Sequence, residues 1–127
     1  MQYDSTVRRF AQGTPAIPSL YSFLPGLEII EEVGVSVIEE ESRRRTQHIV
    51  EFAQQRGWRL HSPLEVDRRG GSVMIEVDDP AGVVEKLAAK KVFVDSRTGV
   101  GLRVSPHFFN TDEEIAEALD TITRVLG

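Results

Sequence analysis

Gly101-Leu102-Arg103-Val104-Ser105-Pro106-His107-Phe108-Phe109-Asn110 is the stretch on which the reading of this chain turns. Val100 to Val104 reads as a short strand. Arg103 lies between Leu102 and Val104, so its side chain leaves on the face opposite theirs. Asn110 or Thr111 then caps a helix, with Asp112, Glu113 and Glu114 at its positive end. Ile115, Leu119, Ile122, Val125 and Leu126 line the buried side of that helix.

Upstream, Ser72 to Val77 is a strand by β-branched content. Asp78-Asp79-Pro80 is a helix start, with Asp79 as cap and Pro80 in the first turn. Val83, Val84, Leu87 and Ala88 give this short helix its face. Val92 to Val94 reads as another strand and Ser96 to Gly99 as a turn. Trp58 to His61 is a short candidate strand. Leu64 to Gly71 is a charged turn ending in two glycines.

Two long helices come before all of this. Leu20, Phe23, Leu24, Leu27, Ile30 and Val33 recur at helical spacing from Ser19 to Val33. Pro25 interrupts them, so that helix either kinks there or begins after it. Gly34 is its stop. A second helix runs from Val35 to about Gln55 on Val35, Ile38, Ile49, Phe52 and Ala53, and Gly57 closes it. Ser42 and Arg45 fall on the same stripe, so its middle is either less buried or packed on something polar. Glu39–Arg43, Glu40–Arg44 and Glu41–Arg45 are i,i+4 pairs of the favourable order, worth about 0.2–0.5 kcal/mol each. Residues 1 to 15 are irregular.

The expected fold is α+β: a two-layer sandwich of a small four-stranded, mainly antiparallel sheet with helices on one face, preceded by the two long helices. Those helices carry more apolar surface than such a sheet can cover, so they are expected to face another domain or another chain.

The whole chain has 127 residues, enough for one compact domain or two small ones. It is 40% hydrophobic and 28% charged, with a formal net charge of −5, which argues against wholesale nucleic-acid binding. Local basic spots remain at Arg8–Arg9, Arg43–Arg45 and Arg68–Arg69. There is no cysteine, so disulfides, thiolate metal sites and cysteine nucleophiles are excluded. No apolar run is long enough for a membrane helix and no secretory signal is visible. The absence of cysteine fits the expectation of a cytoplasmic protein.

Self-contained catalytic sets are missing. His48, His61 and His107 fit no zinc spacing, and there is no HExxH, GxGxxG, GxxxxGK[ST] or GxSxG. Lys86, Lys90 and Lys91 sit on or just past the short helix, where cations suit the helix dipole. Two stretches are richer. Arg9-Phe10-Ala11-Gln12-Gly13-Thr14-Pro15 sets a glycine and a hydroxyl beside arginines and before a helix. It is either a plain loop or an anion contact. Arg103 is either a solvated charge or a bidentate carboxylate clamp. Local sequence leaves both choices open.

Taken together, these stretches resemble the C-terminal part of the class V aminotransferase family. That is the fold-type I group of pyridoxal-phosphate enzymes which includes cysteine desulfurases and kynureninases. The resemblance rests on Arg9-Phe10, Gly13-Thr14-Pro15, the helix pair, Gly101 to Ser105 and Phe109-Asn110-Thr111, and it spans essentially the whole chain. Arg68-Arg69-Gly70-Gly71-Ser72 is similar to the kynureninase branch. Ala11-Gln12 departs from desulfurase relatives with an acidic residue there, and no active-site cysteine loop is present.

The resemblance implies that Thr14, with Gly13 allowing close approach, reaches the cofactor phosphate of the other subunit of a homodimer. It implies that Arg103 pairs with the α-carboxylate of an amino-acid substrate. The Schiff-base lysine and most cofactor contacts would belong to a large domain before residue 1, and none of the three lysines matches it. Residues 1–34 would lead in from that domain, and 35–127 would form the small one. Pyridoxal 5′-phosphate would then serve the complete enzyme, with the isolated fragment inactive and holding none. The reaction could be transamination, desulfuration, elimination or hydrolysis. The competing expectations are a free-standing ferredoxin-like module for small-ligand binding or dimerisation, and an assembly protein docking on an aminotransferase-like partner.

Overall fold

The structure, a computed structural model, describes residues 5–10 and 13–127. Ala11 and Gln12, whose departure from the desulfurase pattern is noted above, lie outside the described residues. The chain divides into two compact units, Met1–Val35 and Ser36–Gly127, each described by itself.

In the first unit a 3-10 turn at Val7–Phe10 comes before helix α1, Ile17–Val33. The helix begins before Pro25 and continues past it. Proline removes one backbone donor at that point, and the apolar spacing on both sides still carries the helix past it. Gly34 ends α1 by donating its N–H to the Ile30 carbonyl. None of the residues of α1 is buried. Leu20, Tyr21, Phe23, Leu24, Leu27, Ile29 and Ile30 are all exposed.

The second unit has the element order α2 (Val35–Gln55), β1 (Val73–Ile75), α3 (Pro80–Ala88), β2 (Asp95–Arg97), β3 (Gly101–Val104), α4 (Asp112–Leu126). It is α+β, with a three-stranded antiparallel sheet in the order β1-β3-β2. Val73 and Ile75 of β1 pair with Val104 and Leu102 of β3, and all four are buried. They join Ile49 and Val50 of α2, Val83 and Leu87 of α3, and Ile115, Leu119 and Ile122 of α4 in one core. Each fully buried aliphatic side chain contributes roughly 1.5–3 kcal/mol.

The expected starts of α3 and α4 are where the structure has them. Asp79 accepts from the Gly82 N–H. Thr111 and Glu114 form a reciprocal capping box on α4. Glu39–Arg43 and Glu41–Arg45 form as expected, at 2.9 and 3.1 Å. Arg44 instead takes Glu41 at 3.0 Å and Asp112 at 2.7 Å.

Two strands differ from expectation. The strand expected at Val92–Val94 lies at Asp95–Arg97. The cause is the end of α3: Lys91 has φ 63, the Lys91 N–H bonds to the Ala88 carbonyl, and the Val92 N–H bonds to the Leu87 carbonyl. This is a Schellman cap, and it takes the Val92 donor away from any ladder. The segment Trp58–His61 pairs with β1 through one bridge, Leu60 to Ile75. Its ladder stops because the Met74 N–H is taken by the Ser62 hydroxyl at 2.9 Å, and Pro63 has no donor to offer. Among the described residues there are therefore three strands and a bridge where four strands are expected.

Candidate functional site

Strand alternation puts Arg103 on the face of the sheet away from Leu102 and Val104. Register puts Met74 of β1 and Asp95 of β2 directly opposite it. Arg103 donates from Nε to Asp95 Oδ1 at 2.7 Å and from Nη2 to Asp95 Oδ2 at 2.5 Å. Arg97 Nη2 lies 3.1 Å from the same Oδ2. The hydrogen bonds from Arg103 hold the Asp95 carboxyl below the usual carboxylate range. The Arg103 side chain is 34% exposed. Among the described residues nothing accepts from its Nη1. The Nε/Nη2 edge of the guanidinium is therefore occupied, and the Nη1/Nη2 edge is open to a second planar carboxylate. Glu76, the residue after β1, meets Arg59 at 3.0 Å and His61 at 3.2 Å.

Asp95 is not among the residues the sequence singles out, because the apolar stretch Val92–Val94 ends just before it. Asp95 and Arg103 are equidistant from Gly99. A hairpin centred there would have paired them.

The structure brings Arg103 together with Asp95 and Arg97; Gly13 and Thr14 belong to the other unit, which is described by itself. Gly13 has φ 139, a backbone conformation that side chains rarely adopt. Thr14 is exposed, and Ala16 gives α1 no side-chain cap.

Two buried arginines have structural roles. Arg45 is buried on α2 and donates from Nη1 to the His107 carbonyl at 2.9 Å, which ties down the loop after β3. Of the two readings of the middle of α2, this is packing on something polar. Arg69 is also buried. It donates to the carbonyls of Pro63 and Leu64 and to Gln47 Oε1, all at 2.9 Å, so it fixes the loop before β1. Burial lowers its pKa. A cleft of about 390 Å³ beside Arg44 is lined by His48, Glu51, Asp112 and Ile115, among others.

Among the described residues, four carboxyls sit below their usual range. Hydrogen bonds from Arg44 lower Glu41 and Asp112, that from Arg103 lowers Asp95, and the Thr111 N–H followed by Asn110 lowers Glu114. Groups lowered in the folded state stabilise it above the ordinary carboxylate range, and that stability is lost as pH falls through their folded values. The urea midpoint is therefore expected to hold from pH 7 to about 5 and to fall below about pH 4. Far-UV circular dichroism measures it, and a midpoint unchanged at pH 3 would contradict the assignment.

Over residues 38–122, more than half of the chain, the sequence matches the family described as kynureninase C-terminal domain. The chain belongs to this family. The uncharacterized aminotransferase YcbU of Bacillus subtilis (strain 168) is 32% identical over 120 residues, covering 94% of this chain and 32% of that protein. A kynureninase of Bacillus anthracis is 28% identical over 119 residues, covering 90% of this chain and 28% of its own length. The chain thus spans about a third of the length of the relatives it matches. In fold it is similar to the apo cysteine desulfurase from Thermococcus onnurineus NA1, with TM-score 0.83 at 22% identity over 94% of this chain and 34% of that one. A NifS-like protein gives TM-score 0.74 at 18% identity, covering 99% of this chain and 38% of that one. The resemblance to the C-terminal part of class V aminotransferases is thereby established. Both Asp95 and Arg103 lie inside the segment matched to the kynureninase C-terminal domain, and Gly13 and Thr14 lie before it.

Proposed function

We propose that this chain works as the small C-terminal domain of a class V, pyridoxal-phosphate-dependent enzyme acting on an amino acid, in the manner of a kynureninase or a desulfurase-type lyase. In this reading residues 1–34 lead in from a large catalytic domain, and 35–127 form the small domain, a two-layer sandwich. The enzyme is a cytoplasmic homodimer. The observation that carries the reading is the open Nη1/Nη2 edge of Arg103, on the solvent side of the sheet and inside the matched segment.

The residues present fit the cofactor in part. A planar guanidinium suits the substrate carboxylate, and a hydroxyl beside a glycine of positive φ suits a phosphate oxygen. Lys86 lies on α3 and Lys90 and Lys91 just past it, where they serve the helix end, and in this reading the aldehyde-binding lysine belongs to the large domain. When bound, pyridoxal phosphate supplies the electron sink for bond breaking at the substrate Cα. Arg103 binds the carboxylate and orients that carbon. Thr14 donates its hydroxyl to the phosphate across the dimer. The exposed apolar side chains of α1 support burial of that helix against the large domain or the second subunit.

The test is the mass of the native species in its source cells, detected with an antibody to this chain. A species about three times the chain's 14.2 kDa or heavier, with pyridoxal-phosphate absorbance, is expected. A monodisperse 14.2 kDa species without the cofactor would overturn the reading in favour of a free-standing module.

A further inference from the structure

We infer that Asp95 is a positioning residue for Arg103: it holds the guanidinium by Nε and Nη2 and so presents the Nη1/Nη2 edge to the substrate carboxylate. The inference rests on the carboxylate-binding reading of Arg103 given above.

An arginine on an open sheet face has many rotamers, and binding a carboxylate on two nitrogens requires one of them. The structure supplies the restraint from the strand next door. Asp95 is the direct cross-strand partner of Arg103, and its short side chain meets the guanidinium side-on through both oxygens. Arg97 holds the same carboxylate at 3.1 Å, so Asp95 is itself fixed from its own strand. The pair is solvent-facing, where an ion pair adds little to stability. Its consequence is orientation. Asp95 is also not a stand-in for substrate, because it fills the edge that an end-on carboxylate does not use.

Positioning and simple charge balance predict opposite signs. Asp95, Arg97 and Arg103 together carry one net positive charge. Asp95→Asn raises that charge and, on charge alone, would tighten binding of an anionic substrate. If Asp95 positions Arg103, the same change weakens it. In the complete enzyme, Asp95→Asn is expected to raise KM for the amino acid about tenfold, with kcat within about threefold of wild type. In an Arg103→Gln background, Asp95→Asn is expected to add no further rise, since the two act as one unit.

A second measurement needs no variant. In the wild-type 127-residue chain, the Arg103 Nε–H is expected to exchange with solvent at least about tenfold more slowly than that of Arg59, whose ion pair with Glu76 is made through Nη1. Equal exchange overturns the inference. So does an unchanged or lowered KM in Asp95→Asn when Arg103→Gln raises it, which leaves the clamp reading standing. An unchanged KM in Arg103→Gln overturns the clamp reading itself.

Discussion

Gly101→Ala is expected to destabilise the chain by about 3 kcal/mol or more, read from the urea midpoint. Two causes add. Gly101 has φ 130, which an L side chain rarely adopts. A Cβ there would also overlap the Ile75 carbonyl oxygen on β1 and press on the Glu76 backbone. Neither neighbour is a flexible side chain, so relief requires the two strands to separate. That separation would break the pairing of Ile75 with Leu102, both fully buried in the core. Gly70→Ala is the matched control. Its Cβ would meet nothing within 4 Å and the residue is exposed, so its effect is expected to stay within about 0.5 kcal/mol. Equal midpoints for the two variants would contradict the close approach of β1 and β3.

Arg103→Gln is expected to raise KM for the amino-acid substrate of the complete enzyme about a hundredfold, or about 2.7 kcal/mol of lost binding. The change removes a charge-assisted bidentate contact and leaves an amide that cannot replace it. Arg103→Lys is expected to recover little, because an ammonium is a point charge without the planar fork. The fold should survive. Asp95 keeps Arg97 as a partner at 3.1 Å, so no carboxylate is stranded, and Leu102 and Val104 still bury their side chains. A KM within about threefold of wild type, in a variant with unchanged thermal unfolding, would remove Arg103 from substrate binding.

The parts of this fold legible in sequence are those set by local chemistry. The span of α2 follows from apolar spacing. The starts of α3 and α4 follow from Asp79-Pro80 and from Thr111 with Glu114, because a cap is satisfied within four residues of itself. The parts missed depend on contacts made elsewhere. β2 begins at Asp95 because the cap at Lys91 and Val92 consumes a donor in the stretch whose β-branched residues suggest a strand. Trp58–His61 makes only a bridge because Ser62 substitutes for a ladder partner. Arg69 reads as half of a basic surface pair, yet burial makes it a loop anchor. At the site, alternation was enough to put Arg103 on the outer face. Its partner Asp95 required the hairpin register.

The Ser62 hydroxyl on the Met74 N–H also closes one edge of the sheet. An unpaired strand edge is a template for adding strands from a neighbouring molecule, and proteins suppress it with short pairings, prolines and charge. On the β1 side the short bridge at Leu60, the hydroxyl of Ser62 and Pro63 end the ladder in quick succession. Extension of the sheet is left to the β2 side. There the incoming strand would meet the alternating charges of Asp95 and Arg97, so self-association through the sheet would depend on salt and on the sequence of the newcomer.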